Sequence, residues 1–276
     1  MRSNTIKGLA SVIFSVFLIG GVKSQTVSDK TIQAGLVGGV GINMLKMGTN
    51  YLSPNGAGAT FTIGTNFIKS IKESKNIAYT FGLEFDIEKL NYRSEDFNVY
   101  YRFTDKVIKN QNETVATTDK YFNLIERTYN PVYISLPIHM NFRTDFIGDF
   151  RYFAKFGLRN RFLVSNKIDD YGMKTDNLQS IGSLAENNDM TSKGELFFFN
   201  STLGFSAGTE WNFAGSSVLM AEFGYYYGFT PMFLDRSDNE KSSLFTSGLN
   251  NGVGNDVYFS NKSTQNQLIL KFSILF

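Results

Sequence analysis

The chain has 276 residues, a formal net charge of +2, 25 Gly, only 4 Pro and no Cys. Aromatic residues make up 15% of it, with 27 Phe and 14 Tyr against a single Trp. A near-neutral balance without a basic cluster excludes a phosphate-backbone partner such as nucleic acid. The absence of cysteine excludes a disulfide framework and lipid attachment at a cysteine.

In chain order, the first feature is an export signal. Arg2 and Lys7 form a positive n-region, residues 9–19 are an apolar run, and Val22-Lys23-Ser24 offers a cleavage site. The run is shorter than the roughly 20 apolar residues of a membrane helix. The expected division is a signal peptide over residues 1–24 and one β-barrel domain over 25–276. Loss of Arg2, Lys7 and Lys23 would take the net charge from +2 to −1.

Eight stretches then alternate apolar and polar or glycine positions with the period of two that belongs to a strand. They are expected at residues 32–44, 57–68, 77–90, 132–142, 150–164, 196–213, 218–229 and 265–276. The third sets Phe81, Leu83, Phe85 and Ile87 against Glu84, Asp86 and Glu88. The fifth sets Phe156, Leu158 and Phe162 against Lys155, Arg159 and Arg161. The last runs through Leu268, Leu270, Phe272, Ile274 and Phe276 on one face. It resembles the closing strand of Gram-negative outer-membrane barrels, whose terminal aromatic is part of the signal read by the assembly machinery.

The connections alternate between short turns and long loops. That segregation, an even count and strands of at least 9–11 residues are what a membrane barrel needs. The expected fold is all-β, a closed antiparallel transmembrane β-barrel of eight strands with long extracellular loops. A ten-stranded barrel, with 96–104 and 121–128 as further crossings, is the rival. We prefer a single raised hairpin over 91–130, because Arg102 and Glu126-Arg127 would make poor crossings. Aromatics along this hairpin (Phe97, Tyr101, Phe103, Tyr121, Phe122 and Tyr129) imply either a partner surface or a loop folded over the barrel mouth. Sequence alone leaves both open.

Eight strands enclose a space that side chains can fill. Five acids (Glu84, Asp86, Glu88, Glu210, Glu222) and four bases (Lys155, Arg159, Arg161, Lys271) point away from the apolar rows. Near-equal opposite charge favours a salt-bridged plug over an ion path.

The fourth stretch carries Tyr133-Ile134-Ser135-Leu136-Pro137-Ile138, continuing to Asn141-Phe142. It resembles the strand "Y-hydrophobic-x-hydrophobic-P-hydrophobic" of PorT-like outer-membrane β-barrels. The resemblance implies an integral outer-membrane barrel, some members of which serve secretion and gliding machinery, and it implies a local bulge at Pro137.

No catalytic set emerges. His139 is the only histidine, and Ser135, four residues away on the same strand, lies about 13 Å from it, too far for a nucleophile and base to touch. The expected role of His139 is a hydrogen-bonded lumen residue. The acids Asp169, Asp170, Asp235, Asp238 and Asp256 lack calcium-loop spacing. No cofactor or metal site is expected. The expected function is a non-enzymatic outer-membrane scaffold or accessory subunit of a surface or secretion assembly, with a small passive channel and a lipid-modifying enzyme as alternatives. Expected partners are outer-membrane lipid, the barrel-assembly machinery at the closing strand, and a protein at the extracellular loops.

Overall fold

A computed structural model of the chain describes residues 32–71, 74–95, 98–175, 182–192, 195–214, 217–233, 242–247 and 256–276. The expected signal peptide, Phe97, Asp235 and Asp238 lie outside the described residues. Among the described residues there is strand and turn but no helix.

Eight strands form the frame: β1 (Ile32–Met47), β3 (Gly58–Ile71), β4 (Ser74–Glu88), β8 (Lys120–Arg143), β9 (Phe150–Thr175), β11 (Phe199–Ala214), β12 (Ser217–Gly228) and β15 (Ser263–Leu275). Seven short strands complete the sheet: β2 (Leu52–Pro54), β5 (Leu90–Ser94), β6 (Val99–Thr104), β7 (Val107–Lys109), β10 (Ser183–Ser192), β13 (Leu244–Ser247) and β14 (Asp256–Tyr258). The frame pairs antiparallel in the cycle β1–β3–β4–β8–β9–β11–β12–β15 and back to β1. The last step joins Gly35–Met47 to Ser263–Leu275 in an unbroken register, so no long edge is left on the frame.

The alternation in the sequence follows from this closure. Residues of one parity face the surroundings, such as Phe81 at 45% exposure and Phe85 at 46%, while Glu84 and Asp86 between them are buried. Short connections collect at one end, where Ile71 pairs with Ser74, Ala214 with Ser217 and Ile147 with Phe150. Gly148, at φ +64°, supplies the left-handed position of the β8–β9 turn, which a residue with a Cβ adopts at a cost.

At the other end the expected boundaries need correction. The fifth stretch does not stop at residue 164, and the presumed loop 165–195 is partly strand. β9 runs on to Thr175 and then pairs with β10. Val132–Tyr133 of β8 against Leu163–Ser165 of β9 marks a register shift, so the alternation changes phase there and periodicity loses the strand. The 91–130 segment does form the raised hairpin, as β5, β6 and β7 with the upper half of β8. There β6, β7, β10, β9 and β8 pair in turn to make a second, five-stranded ring above the frame, sharing β8 and β9 with it. The pairing of β7 with β10 is parallel.

Pro137 does not make a bulge. Phe81 pairs with Ile138 and Glu84 with Ser135, so the register passes the proline unchanged. The ladder omits two residue pairs, because proline has no N–H to donate. Gly82 faces the ring, and a Cβ there would lie 2.5 Å from the Thr65 carbonyl oxygen and 3.3 Å from Pro137 Cγ. The missing side chain makes room first for the Thr65 carbonyl and then for the proline.

Candidate functional site

The interior is built in three layers, set by which inward positions on the tilted strands carry which side chains. At the short-turn end, inward Ile68, Ala78, Phe153, Val218, Met220 and Leu275 form a closed apolar cluster. Arg143 sits at this mouth, with Nη2 donating to Ser70 Oγ at 2.6 Å.

Above the cluster runs the charged layer. The Arg159 guanidinium bridges Glu84 at 2.8 Å and Asp86 at 2.6 Å. Lys271 donates to the same Glu84 at 2.7 Å. Lys155 meets Glu222 at 2.5 Å, and Arg161 meets Glu88 at 2.7 Å. Amides and hydroxyls satisfy what the ion pairs leave over. Gln267 Nε2 donates to Glu88 at 2.7 Å, Arg161 donates to Asn200 Oδ1 at 2.6 Å, and Thr62 and Ser135 both donate to Asp86. All nine expected lumen charges are buried there, and eight of them contact one another. The ninth, Glu210, pairs instead with Arg151 at 2.5 Å. The sequence reading missed Arg151, although it shares parity with Lys155 and Arg159 and so could have been counted. Arg143 was missed in the same way, whereas Gln267 and Asn200 stand on the polar faces that alternation assigns to their strands.

Paired charges at this density act as a filler. Each ion's desolvation is offset by its opposite charge and by further hydrogen bonds, an arrangement that costs several kcal/mol when one partner is lost. A cavity of about 10 Å³ remains between Thr80, Glu84, His139, Lys155, Glu222 and Lys271, room for about one water. His139 lies inside, as expected, but not held as expected. Its Nε2 has no hydrogen-bond partner, and its ring meets the edge of Tyr226 at 6.2 Å. Ser135 is committed to Asp86 and not to His139. Among the described residues no group of three or more His, Asp or Glu side chains could hold a metal ion.

The third layer is a cap. Among the described residues the aromatics of the raised hairpin are not exposed. Tyr101, Phe122, Leu124 and Tyr129 are fully buried and pack with Phe103 and Phe233 in one core. The hairpin folds over the barrel mouth, because β6 pairs along β8 and β10 along β9, which turns the inward side chains of this second ring into one core. This core surrounds a polar group that the sequence did not reveal. Arg127 grips Asp170 with two bonds, of 2.7 and 2.8 Å, and reaches Glu195 at 3.2 Å. Tyr129 donates to Glu195 and shares a hydrogen bond with Tyr92 at 3.2 Å. Burial and the neighbouring Glu195 hold the Tyr129 phenol protonated, well above its ordinary range. Burial acts to lower the pKa of Arg127, but Asp170 and the surrounding tyrosines and Glu195 outweigh it, so the guanidinium stays charged.

The cap's outer turn is tied down by Asp119, which accepts from Thr104 at 2.5 Å, from the Ala116 N–H at 3.0 Å and from Arg102 at 3.4 Å. Burial would raise its carboxyl pKa, but these donors overcome that and lower it. A depressed folded pKa gives stabilisation that is complete above the ordinary carboxylate value near 4 and is lost as pH falls through the lowered value. The protection of the β6 amides, taken relative to free-peptide exchange at the same pH, is therefore expected to hold from pH 7 to about 4 and to fall only below that. In Asp119→Asn exchange should already be faster at pH 7, by about 1–2 kcal/mol of opening free energy. Equal exchange in both proteins at pH 7 would exclude this anchoring role.

No family model matches the chain, and no curated protein matches it. Solved structures do. Neisserial surface protein A is 10% identical, with 90% of this chain and 98% of that one covered and a TM-score of 0.32. Ail, the attachment invasion locus protein of Yersinia pestis, is 11% identical over 90% of this chain and 100% of its own, with a TM-score of 0.31. The outer membrane protein AlkL is 12% identical over 94% and 95%, with a TM-score of 0.28.

Proposed function

We propose that this is an integral outer-membrane β-barrel protein of a Gram-negative bacterium, with eight crossing strands and a closed interior. It acts through its capped loop end as a scaffold or accessory subunit of a surface or secretion assembly. The observation that carries the membrane reading is the inversion of the molecule: ion pairs inside, and an uninterrupted apolar row outside. From Ile77 to Ile87 the outward positions of β4 are Ile77, Tyr79, Phe81, Leu83, Phe85 and Ile87. Ten steps of about 3.3 Å at a tilt near 40° give a belt about 25 Å tall, the height of a hydrocarbon core. Water would not tolerate such a surface on a monomer.

The scaffold reading rests on the filled interior and on where the free surface lies. With ion pairs and an apolar cluster blocking the lumen, what remains for contact is the outside of the cap. The tip at residues 111–118 is largely exposed, with Val115 at 63%. The resemblance of the Tyr133–Ile138 strand to PorT-like barrels fits a role beside secretion machinery. The same filled interior argues against a passive channel. The commitment of Ser135 to Asp86 gives no support to a lipid-modifying enzyme.

Trp211, the single tryptophan, tests the membrane reading. It faces outward at the short-turn rim, stacked on Phe150 at 6.0 Å and beside Phe213 at 5.8 Å, as interfacial aromatics do. Lipids brominated near the headgroup should quench its fluorescence strongly while aqueous iodide quenches it weakly. The protein should fractionate with the outer membrane and migrate differently on a gel before and after heating. Quenching by iodide alone, or recovery as a soluble periplasmic monomer, would sink this reading. Mild-detergent purification should in turn retain a partner that is lost when residues 111–118 are replaced by a Gly/Ser linker. Assembly and function unaltered by that replacement, with nothing co-purifying, would remove the scaffold role.

A further inference from the structure

We propose that the outer face of the cap, where β5, β8, β9 and β10 lie side by side, docks an arginine-bearing segment of a partner protein, with Tyr171 as the platform and Glu126 and Glu186 on its two flanks. The proposal rests on the scaffold reading above and names the partner chemistry that the reading leaves open.

The register sets these side chains in one line across the sheet. Ser53 of β2 pairs with Arg93 of β5, and Arg93 with Glu126 of β8. Glu126 in turn pairs with Tyr171 of β9, and Tyr171 with Glu186 of β10. Directly opposed residues of antiparallel strands share a face, with Cβ atoms about 4.5–5.5 Å apart. Here that face is the outer one. Tyr92, Arg127 and Asp170, each one position away on the same strands, are buried in the cap, whereas Arg93, Glu126, Tyr171 and Glu186 are all exposed. Tyr171 keeps 41% of its surface open at the centre of the row. The outer face of these strands is thus a flat, ordered surface that presents one aromatic ring between two acids.

The spacing selects the occupant. Two strand spacings put Glu126 and Glu186 about 10 Å apart, with Tyr171 between them. Among the described residues no group of three or more His, Asp or Glu side chains could hold a metal ion. A guanidinium laid on the tyrosine ring suits the row better, because it stacks on an aromatic face and its fork of donors can serve a carboxylate on either side. The charge around the row agrees. The four acids Glu126, Asp169, Glu186 and Asp189 outnumber the two bases Arg93 and Lys167. Lys167 is taken by Asp189 at 2.6 Å, and Arg93 donates from Nε to Ser53 Oγ at 3.3 Å. Glu186 and Asp169 accept from the neutral amides of Asn188 and Asn130, at 3.2 and 2.8 Å, and Asp169 also from the Asp189 N–H at 2.9 Å. Neutral donors leave the excess negative charge in place. The face belongs to the ring above the frame, and its acids would repel anionic headgroups, so a protein segment and not a lipid fits it.

The test uses the full chain in phosphatidylcholine nanodiscs and a fluorescein-labelled Gly-Arg-Gly-Arg-Gly peptide, with its glutamine counterpart as reference. By fluorescence anisotropy, wild type should bind the arginine peptide about tenfold tighter than the glutamine peptide. The preference should fall to about twofold in E126Q/E186Q and to about threefold in Y171L, and Y171F should keep it, since phenylalanine retains the ring face. D105N/D256N removes two exposed acids elsewhere on the cap and should bind as wild type does. Equal binding of both peptides by wild type, with a co-purifying partner still lost on replacement of residues 111–118, would overturn this site and leave the scaffold reading standing. An equal loss in D105N/D256N would also overturn it, by reducing the effect to net charge. So would wild-type self-association that E126Q/E186Q abolishes, which would assign the face to a second copy of the chain. Absence of both the preference and any co-purifying partner would overturn the site and the scaffold reading together.

Discussion

Replacing Arg159 with methionine is expected to cost about 3–5 kcal/mol of folding stability, more than any other single change inside the barrel. Arg159 is fully buried and holds two carboxylates at once, with Gln267 on its remaining nitrogen at 3.2 Å and the Tyr226 ring beneath it at 5.5 Å. Without it, Glu84 retains only Lys271, and Asp86 retains only the hydroxyls of Thr62 and Ser135. Two acids two residues apart on β4 would then share a single cation in a buried site. Size alone is not the cause, since methionine fills much of the same volume. Removing the stranded charge of Asp86 as well should therefore recover most of the loss. D86N/R159M is expected within about 1–2 kcal/mol of wild type, because Glu84 keeps Lys271 and the set is neutral again. As a contrast, the Lys167–Asp189 pair is 2.6 Å apart but more than 60% exposed on both sides, and K167Q should change stability by less than about 1 kcal/mol. Urea unfolding of protein refolded into lipid vesicles measures all three. R159M unfolding within 1 kcal/mol of wild type would mean that the charged layer does not hold the barrel together.

How much of this was legible in the sequence depends on which side of the bulge in β8 and β9 a residue lies. Below it, one parity serves the whole length of every strand, and the frame follows from alternation: Phe81 and Phe85 out, Glu84 and Asp86 in. The lumen charges were readable because a strand offers each side chain only two directions. Their partners were not readable, since pairing Glu84 with Arg159 and Lys271 joins β4 to β9 and β15 across the lumen, and periodicity carries no information about distance through space. Above the bulge the phase changes, and residues 165–175 look like a polar loop although Ile168 and Asp170 point into the cap. Arg127 looked like a reason to keep its segment out of the membrane. That inference survives, but its positive role needed Asp170 and Glu195 from 43 and 68 residues away.

Replacing Arg127 with alanine is expected to open the cap without opening a pore. Both side-chain oxygens of Asp170 are bonded by this one guanidinium, and Glu195 loses its only ion pair among the described residues with the same change. Two buried carboxylates without a cation cost about 3–5 kcal/mol, and that loss falls on a unit made of short strands. β6, β7 and β10 span 6, 3 and 10 residues and depend on the apolar core around Tyr101 and Phe122 for their order. They should therefore open locally while the eight-stranded frame, whose ladder is independent of Arg127, persists. Trypsin should cut the variant within residues 102–120 at least tenfold faster than wild type, leaving a core fragment that still shifts on a gel when heated. Conductance separates the layers. Below the opened cap the ion pairs around Arg159 and the cluster of Phe153, Met220 and Leu275 are untouched, so the variant should remain as silent as wild type in planar bilayers. Steady single-channel steps from R127A, absent from wild type, would mean that the cap alone closes the barrel. The charged layer would then be the wall of a gated path, and the scaffold reading would give way to a channel.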